Sequence, residues 1–359
     1  MLDECGRVNV LLAGNSGVGK STVINAIFGD EVAQTGVGNP QTMSIVPYEP
    51  PERPLRIYDT RGFEIAKAEE TVAAVRGKIS ELRSKVDPRD QIHIVWTCIL
   101  EQSHRIEPVQ QGLLRMLRDQ QPNVPAIVLI TQAFEGNAEM EAKVRELAIP
   151  NNGVIPILAT EKRIGPHLVP PRGVDELVET TLRLLPEAQK HAFIAAQTAR
   201  WDLKERAVTN RINTAAVAAA SSSLIPVPGG HSVALLSIQM GMLAWINSYL
   251  GITINDSGGK DVIKGLIGIV VAKAGGQTAF WMVLSEATKL FPGLGTLGAA
   301  AVGGPIAAAL TKTLGHVYLD TVKQYAKSDL PLPPPDELAQ TMQRLLELNR
   351  DRYRSIGTN

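Results

Sequence analysis

A chain of 359 residues is longer than a single hydrophobic core usually supports, so at least two domains are expected. With 36 basic residues against 36 acidic ones and 44% hydrophobic residues, the composition excludes wholesale disorder and gives no electrostatic reason to expect nucleic acid as a partner. Two cysteines far apart in sequence, Cys5 and Cys98, make neither a disulfide framework nor a metal-site spacing, which suits a reducing compartment.

The opening MLDECGRVNV carries acids and no basic stretch leading into an apolar run, so no secretory signal is expected and the protein is expected in the cytoplasm. The first strand is read at RVNVLLA (7–13), and GNSGVGKST (14–22) follows it directly. That segment fits G-x-x-x-x-G-K-[ST] between a strand and the helix pattern STVINAIF, which is the context a phosphate clamp requires. Its glycines let the backbone wrap phosphates, and the N–H groups of Asn15, Ser16, Gly17, Val18, Gly19, Lys20, Ser21 and Thr22 are the candidates to face them, at the positive end of the helix. Lys20 is expected to reach the β- and γ-phosphates and Ser21 to ligate magnesium.

The loop TGVGNPQTM leads into a strand SIVPY (44–48); Thr42 is the preferred hydroxyl to close over magnesium, with Thr35 and Ser44 as rivals. The next strand, LRIYD (55–59), ends in DTRG, where Asp59 is a candidate to hold the metal through water and the Gly62 N–H to meet the γ-phosphate. Further strands are expected at IHIVWT (92–97), AIVLIT (126–131) and VIPILA (154–159), separated by helical patterns including EETVAAVRGKISELRS and DELVETTLRLL, with PPRG (170–173) as punctuation before the last. This alternation predicts a three-layer α/β domain over residues 1–185.

The texture then changes. Residues 186–206 read as a charged amphipathic linker helix, and 207–327 as an all-helical hydrophobic domain. Between Arg211 and Asp256 lie 44 residues with no Asp, Glu, Lys or Arg, and a second uncharged run fills 290–311. Neither is a clean 20-residue span, because Gln239, Asn247, prolines and glycines interrupt them. They suit closely packed helices with small-residue contacts, in a bundle or entering lipid. The charged residues of this domain are mostly basic, which would favour an anionic membrane surface. Residues 328–359 combine a stiff PLPPP spacer with an amphipathic tail helix. His231 and His316 are isolated, and Trp245, Trp281, Met240 and Met242 sit in apolar helical runs, so all are expected to pack.

Clamp, threonine loop and DTRG in this order resemble the Era/septin-type GTPases, and GNSGVGKSTVINAIFG is similar to septins and immunity-related GTPases. The resemblance covers about residues 7–185 and implies a Ras-like fold, GTP/GDP and Mg2+ as ligands, and loops that rearrange on hydrolysis. The turn LIPVPGG and the segment PGLGTLGAAAVGGP resemble a YcjF-type domain, which implies membrane or partner association.

The chain departs from the family in two places. Where N/T-K-x-D would read guanine, it has Thr131, Gln132, Ala133, Phe134 and Glu135, so the lysine and the acid are both replaced, and Glu135 could reach back only if the loop carries a one-residue shift. Losing that charge-assisted hydrogen bond, worth roughly 1.5–3 kcal/mol, erodes guanine preference by about one to two decades. LATEK (158–162) resembles the loop whose backbone, here at Ala159, meets the base oxygen. After Gly62 stands Phe63, which cannot orient water, so intrinsic hydrolysis is expected to be slow and raised by a homodimer, with Arg61 or Arg105 as the arginine acting across it. The resulting expectation is a slow GTPase switch acting at a membrane or on a membrane-bound partner. The alternatives are a nucleotide-binding scaffold without turnover and an ATPase that remodels a partner.

Overall fold

The computed structural model describes residues 6–29, 32, 45, 47–50, 53–60, 68–103, 105–134, 136, 138–147, 152–222, 230–252, 304–327, 330 and 332–358. The chain divides into two compact units, Leu2–Trp201 and Asp202–Asn359.

The first unit is built on a six-stranded sheet. Its strands are β1 (Val8–Ala13), β2 (Pro47–Tyr48), β3 (Leu55–Asp59), β4 (Ile94–Leu100), β5 (Ala126–Thr131) and β6 (Val154–Ile157), in the order β2-β3-β1-β4-β5-β6. All neighbouring pairs are parallel except β2–β3. The exception follows from chain length: the few residues between β2 and β3 allow a hairpin but no crossover helix. The helices are α1 (Lys20–Phe28), α2 (Ala68–Arg83), α3 (Pro108–Gln120), α4 (Ala138–Leu147), α5 (Val174–Leu184) and α6 (Glu187–Ala196).

Every residue of β1 and β5 is buried, as expected for strands covered by helices on both faces. Leu11, Tyr58 and Val95 pack with Val75, Ile79 and Leu82 of α2 and Leu113 and Leu117 of α3; Ile99, Val128 and Ile130 continue that layer against Met140 and Val144 of α4. Trp96 alternates to the other face, where its ring stacks on Phe28 of α1 and meets Phe193 of α6 edge-on. The six strands overlap those read from the sequence, but β4 runs from Ile94 to Leu100 rather than over 92–97, β6 ends at Ile157, and of the stretch 44–48 only Pro47 and Tyr48 are described as strand; the three-layer architecture fits a Ras-like P-loop domain. A second, two-stranded sheet pairs β7 (Lys162–Ile164) with β8 (His167–Val169), a hairpin not expected from the sequence.

The stretch expected as one helix over 186–206 is two, α6 and α7 (Trp201–Ser222). The break is stabilised by Gln197, whose side chain accepts the Arg200 N–H at 2.7 Å and donates to the Arg200 carbonyl at 2.9 Å. Those bonds satisfy backbone groups that continued helix would otherwise need.

The second unit is helical among its described residues: the rest of α7, then α8 (Gly230–Leu250), α9 (Gly304–Lys327), α10 (Pro335–Leu348) and α11 (Arg350–Thr358). The tail is two helices because the chain leaves helical geometry at Asn349. Gly315 of α9 lies so close to Ile212 of α7 that an added Cβ would stand 2.7 Å from the Ile212 side chain. Buried polar pairs then fix α9: Tyr318 donates to Asn247 Oδ1 of α8 at 2.7 Å, and Gln239 donates to Thr311 at 3.2 Å. Trp245 stacks on Tyr249 with ring centroids 4.4 Å apart, and Met242 is buried, so these apolar residues pack as expected. His316 is half-buried, and Trp281 lies outside the described residues. Among the described residues no helix is long and apolar enough to cross a membrane.

Candidate functional site

The site begins where β1 ends. Gly14 leaves the strand with φ 143°, and a Cβ there would meet the Cys98 carbonyl of β4 at 2.7 Å, so only glycine lets the loop turn this closely. Asn15 through Gly19 form the turn, and Gly19 takes a left-handed conformation at the N-cap of α1. Ser16, Gly17, Ser21 and Thr22 are exposed, whereas Val18 is buried. Lys20 is only 6% exposed, and its Nζ donates to the carbonyls of Gly14 at 2.8 Å and Asn15 at 2.7 Å. The ammonium therefore lies inside the curl of its own loop, next to the N-terminus of α1.

Two further groups brace this loop. The Thr131 hydroxyl at the end of β5 shares its one proton between two carbonyls, donating to that of Val18 at 2.5 Å and more weakly to that of Ile99 at 3.1 Å. Asn15 donates through Nδ2 to Glu107 Oε2 at 2.6 Å, just before α3.

Asp59 ends β3 level with Leu12 of β1, and the Thr60 N–H donates to the Leu12 carbonyl at 3.1 Å, so DTRG starts beside the phosphate loop. The buried Cys98 thiol feels both Lys20 and Asp59; burial is the main cause that pushes it up to about 12, with Lys20 opposing and Asp59 adding. The hydroxyl of Ser21 and the carboxylate of Asp59 are hard oxygen donors of the kind Mg2+ prefers with several waters, so the donor set fits that ion. Thr42, Arg61, Gly62, Phe63 and Glu135 lie outside the described residues. Arg105 is exposed, in the loop between β4 and α3 that also carries Glu107.

A cleft of about 160 Å³ lies between α1, the end of β5 and the loop after β6; Gly19, Thr131, Gln132, Ala159, Glu161 and Lys162 are among the residues lining it. The structure thus brings together Gln132 and Ala159, two residues singled out in the sequence, across one opening. Gln132 has φ 52°, the one positive value at a non-glycine position among the described residues. Phe134, two residues beyond Gln132, has the Lys162 ammonium 4.1 Å from its ring centroid, a cation–π distance.

Three residues at this site were not singled out in the sequence. Glu107 precedes Pro108, and its N–H donates to Gln110 Oε1 at 2.8 Å; an acid with a glutamine three positions on was the available signal. Glu101 is buried and accepts the Gly136 N–H at 3.1 Å, holding the chain beyond Phe134; a buried acid at a strand end leaves no spacing pattern. Arg172, inside PPRG, donates to the Ala133 carbonyl through Nε at 2.7 Å and also through Nη2.

Residues 9–132 match the family described as "50S ribosome-binding GTPase". Among curated proteins, the chain is 32% identical over 116 residues to Magnetosome membrane protein 22 of Magnetospirillum gryphiswaldense, a match covering 32% of this chain and 56% of that protein. The chain thus spans little more than half the length of that relative. It is 28% identical over 193 residues to Probable GTP-binding protein EngB of Rhodopseudomonas palustris, covering 52% of this chain and 84% of that protein. Probable GTP-binding protein EngB of Nitrobacter hamburgensis is also 28% identical, over 190 residues, with coverage of 51% and 82%.

Proposed function

The chain carries a P-loop GTPase domain, and from that premise we propose that it is a slow GTPase switch acting at a membrane or on a membrane-bound partner. The observation carrying this most directly is the Lys20 ammonium held on the Gly14 and Asn15 carbonyls at the start of α1. Bound phosphates would draw it from those carbonyls, and the loop N–H groups and helix dipole would hold the rest of the charge. Ser21 and Asp59, joined by Thr42, would hold Mg2+, which shields the phosphate charge in transfer. Gly62 would sense the γ-phosphate, and Gln132, Ala159 and Glu135 would contact the base.

Phe63 in place of a water-orienting side chain supports a slow intrinsic rate, with acceleration left to a homodimer through Arg61 or Arg105. A septin-like nucleotide domain followed by a YcjF-type helical domain remains our assignment of the two regions, 1–185 and 207–327, joined through 186–206 and followed by the tail at 328–359. The basic excess of the second region and a relative named as a magnetosome membrane protein support contact with an anionic membrane surface from the cytoplasmic side.

The test is phosphate release from GTP with Mg2+ over many turnovers, for the wild type and Lys20→Ala. Turnover lost in Lys20→Ala supports the switch. Tight GTP binding with no turnover at any protein concentration would favour instead the scaffold that Phe63 also allows. Flotation with anionic liposomes tests the membrane part, and failure with every lipid composition would remove it.

A further inference from the structure

The PPRG turn is more than punctuation before a helix. Gly173 has φ 77°, and an added Cβ would lie 2.4 Å from the Pro156 carbonyl and 3.1 Å from Ile157 Cα, so the turn is pressed directly on β6. That contact sets Arg172 beside Leu158, with which it exchanges two backbone hydrogen bonds, N–H to carbonyl at 2.9 and 3.0 Å. From there the guanidinium crosses to the Ala133 carbonyl, to which Nε donates at 2.7 Å and Nη2 donates as well. The Ala133 N–H meanwhile donates to the Ile157 carbonyl at 3.1 Å.

The two loops joined in this way are those that line the cleft. Leu158 precedes Ala159 and Glu161, and Ala133 follows Gln132. Gln132 holds a left-handed backbone that a non-glycine residue adopts only when its surroundings over-determine it. The lock on Ala133 immediately after it supplies that constraint. An acid at position 134 would ordinarily fix a base by its own strong bonds; here Phe134 makes none, and the main chain of the two loops has to be held in register by something else.

We propose that Arg172 is the positioning residue that does so: it fastens the loop after β5 to the loop after β6 and thereby presets the base-binding cleft. This rests on the nucleotide-binding function proposed above, and a bound base gains most from a cradle that is already ordered.

The experiment uses the full-length chain and measures equilibrium affinity for GDP and for inorganic pyrophosphate, which engages the phosphate loop without a base. Arg172→Ala is expected to lose about tenfold in GDP affinity, the order of one charge-assisted hydrogen bond, while pyrophosphate affinity stays within about twofold. Arg172→Lys, which keeps one donor toward Ala133, is expected to fall between the two and carries the test if the alanine variant does not fold. Equal losses for GDP and pyrophosphate would make Arg172 merely structural and overturn the proposal, as would no loss for either. A wild type that binds pyrophosphate but not GDP overturns the nucleotide function together with this inference; a wild type that binds GDP and is indifferent to Arg172 overturns this inference alone.

Discussion

Asn15 in the phosphate loop and Glu107 at the start of α3 are tied by a hydrogen bond of 2.6 Å between Nδ2 and Oε2. The acid is well sited on its own helix too, because the α3 N-terminus favours negative charge. Through this bond, the loop after β4 helps to set the main chain whose Asn15 carbonyl receives Lys20.

Glu107→Ala is expected to lower unfolding free energy by about 1–2 kcal/mol, through the lost cap and the lost charge-assisted bond. GTP affinity should fall by roughly three- to tenfold. Glu107→Gln, which keeps the hydrogen bond and loses the charge, should lose less. Asn15→Ala combined with Glu107→Ala should cost less than the two single losses added, a coupling that urea titrations and nucleotide binding can read separately.

His93 predicts an acid-side loss of stability. Its Nδ1 accepts the Asn9 N–H at 2.9 Å, and Nε2 lies 2.9 Å from the Pro88 carbonyl, to which it donates as a neutral ring. Burial lowers the folded pKa from the ordinary 6.5, partly opposed by the Pro88 bond. The unfolded chain therefore takes up this proton first as pH falls. Stability from His93 is complete above about pH 6.5 and declines below it, by at most about 1.4 kcal/mol per pH unit. Denaturant titrations from pH 7.5 to 5.5 should show that slope, and His93→Gln should flatten it.

Cys98 should be inert in the native protein. It is fully buried in β4, and its thiol, pushed up to about 12 by burial, stays protonated at neutral pH. An alkylating reagent at pH 8 should label it only after unfolding. Because its folded pKa is raised, its contribution to stability is complete below about pH 9 and is lost as pH rises toward 12. Labelling of Cys98 in the folded chain, read by mass spectrometry, would contradict the packing of β4 against the phosphate loop.

In the helical unit, Tyr318→Phe should destabilise by about 1–3 kcal/mol, since it leaves the buried Asn247 carbonyl oxygen without its donor. The Asn247 Nδ2 already lacks an acceptor among the described residues. Replacing both residues, Asn247→Leu with Tyr318→Phe, should therefore recover most of the loss in thermal unfolding.

Much of the first unit was legible because its signals are local. Apolar runs bounded by turns gave the strands, and the clamp motif carries its own context of strand, glycine loop and helix from Ala13 to Ser21. The contacts that brace the site were not legible, because they join residues far apart in sequence: Thr131 to Val18, Glu107 to Asn15, Arg172 to Ala133. Nothing in the composition of PPRG tells that its arginine faces a carbonyl 39 positions away. The β7–β8 hairpin was missed because three-residue strands carry too little alternation to register. In the second unit, the absence of charge from 212 to 255 left open whether a bundle or lipid receives these residues, and Gly315 with Ile212 now supplies one contact of the helix packing.

The most direct test is equilibrium binding of GTP, GDP, ATP and ADP to the purified full-length chain with Mg2+, beside Lys20→Ala. Guanine nucleotides should bind at least about tenfold more tightly than adenine nucleotides, and Lys20→Ala should lose roughly 10- to 100-fold, the order expected for one or two charge-assisted hydrogen bonds. Equal affinity for the two bases, or full affinity in Lys20→Ala, would contradict the account.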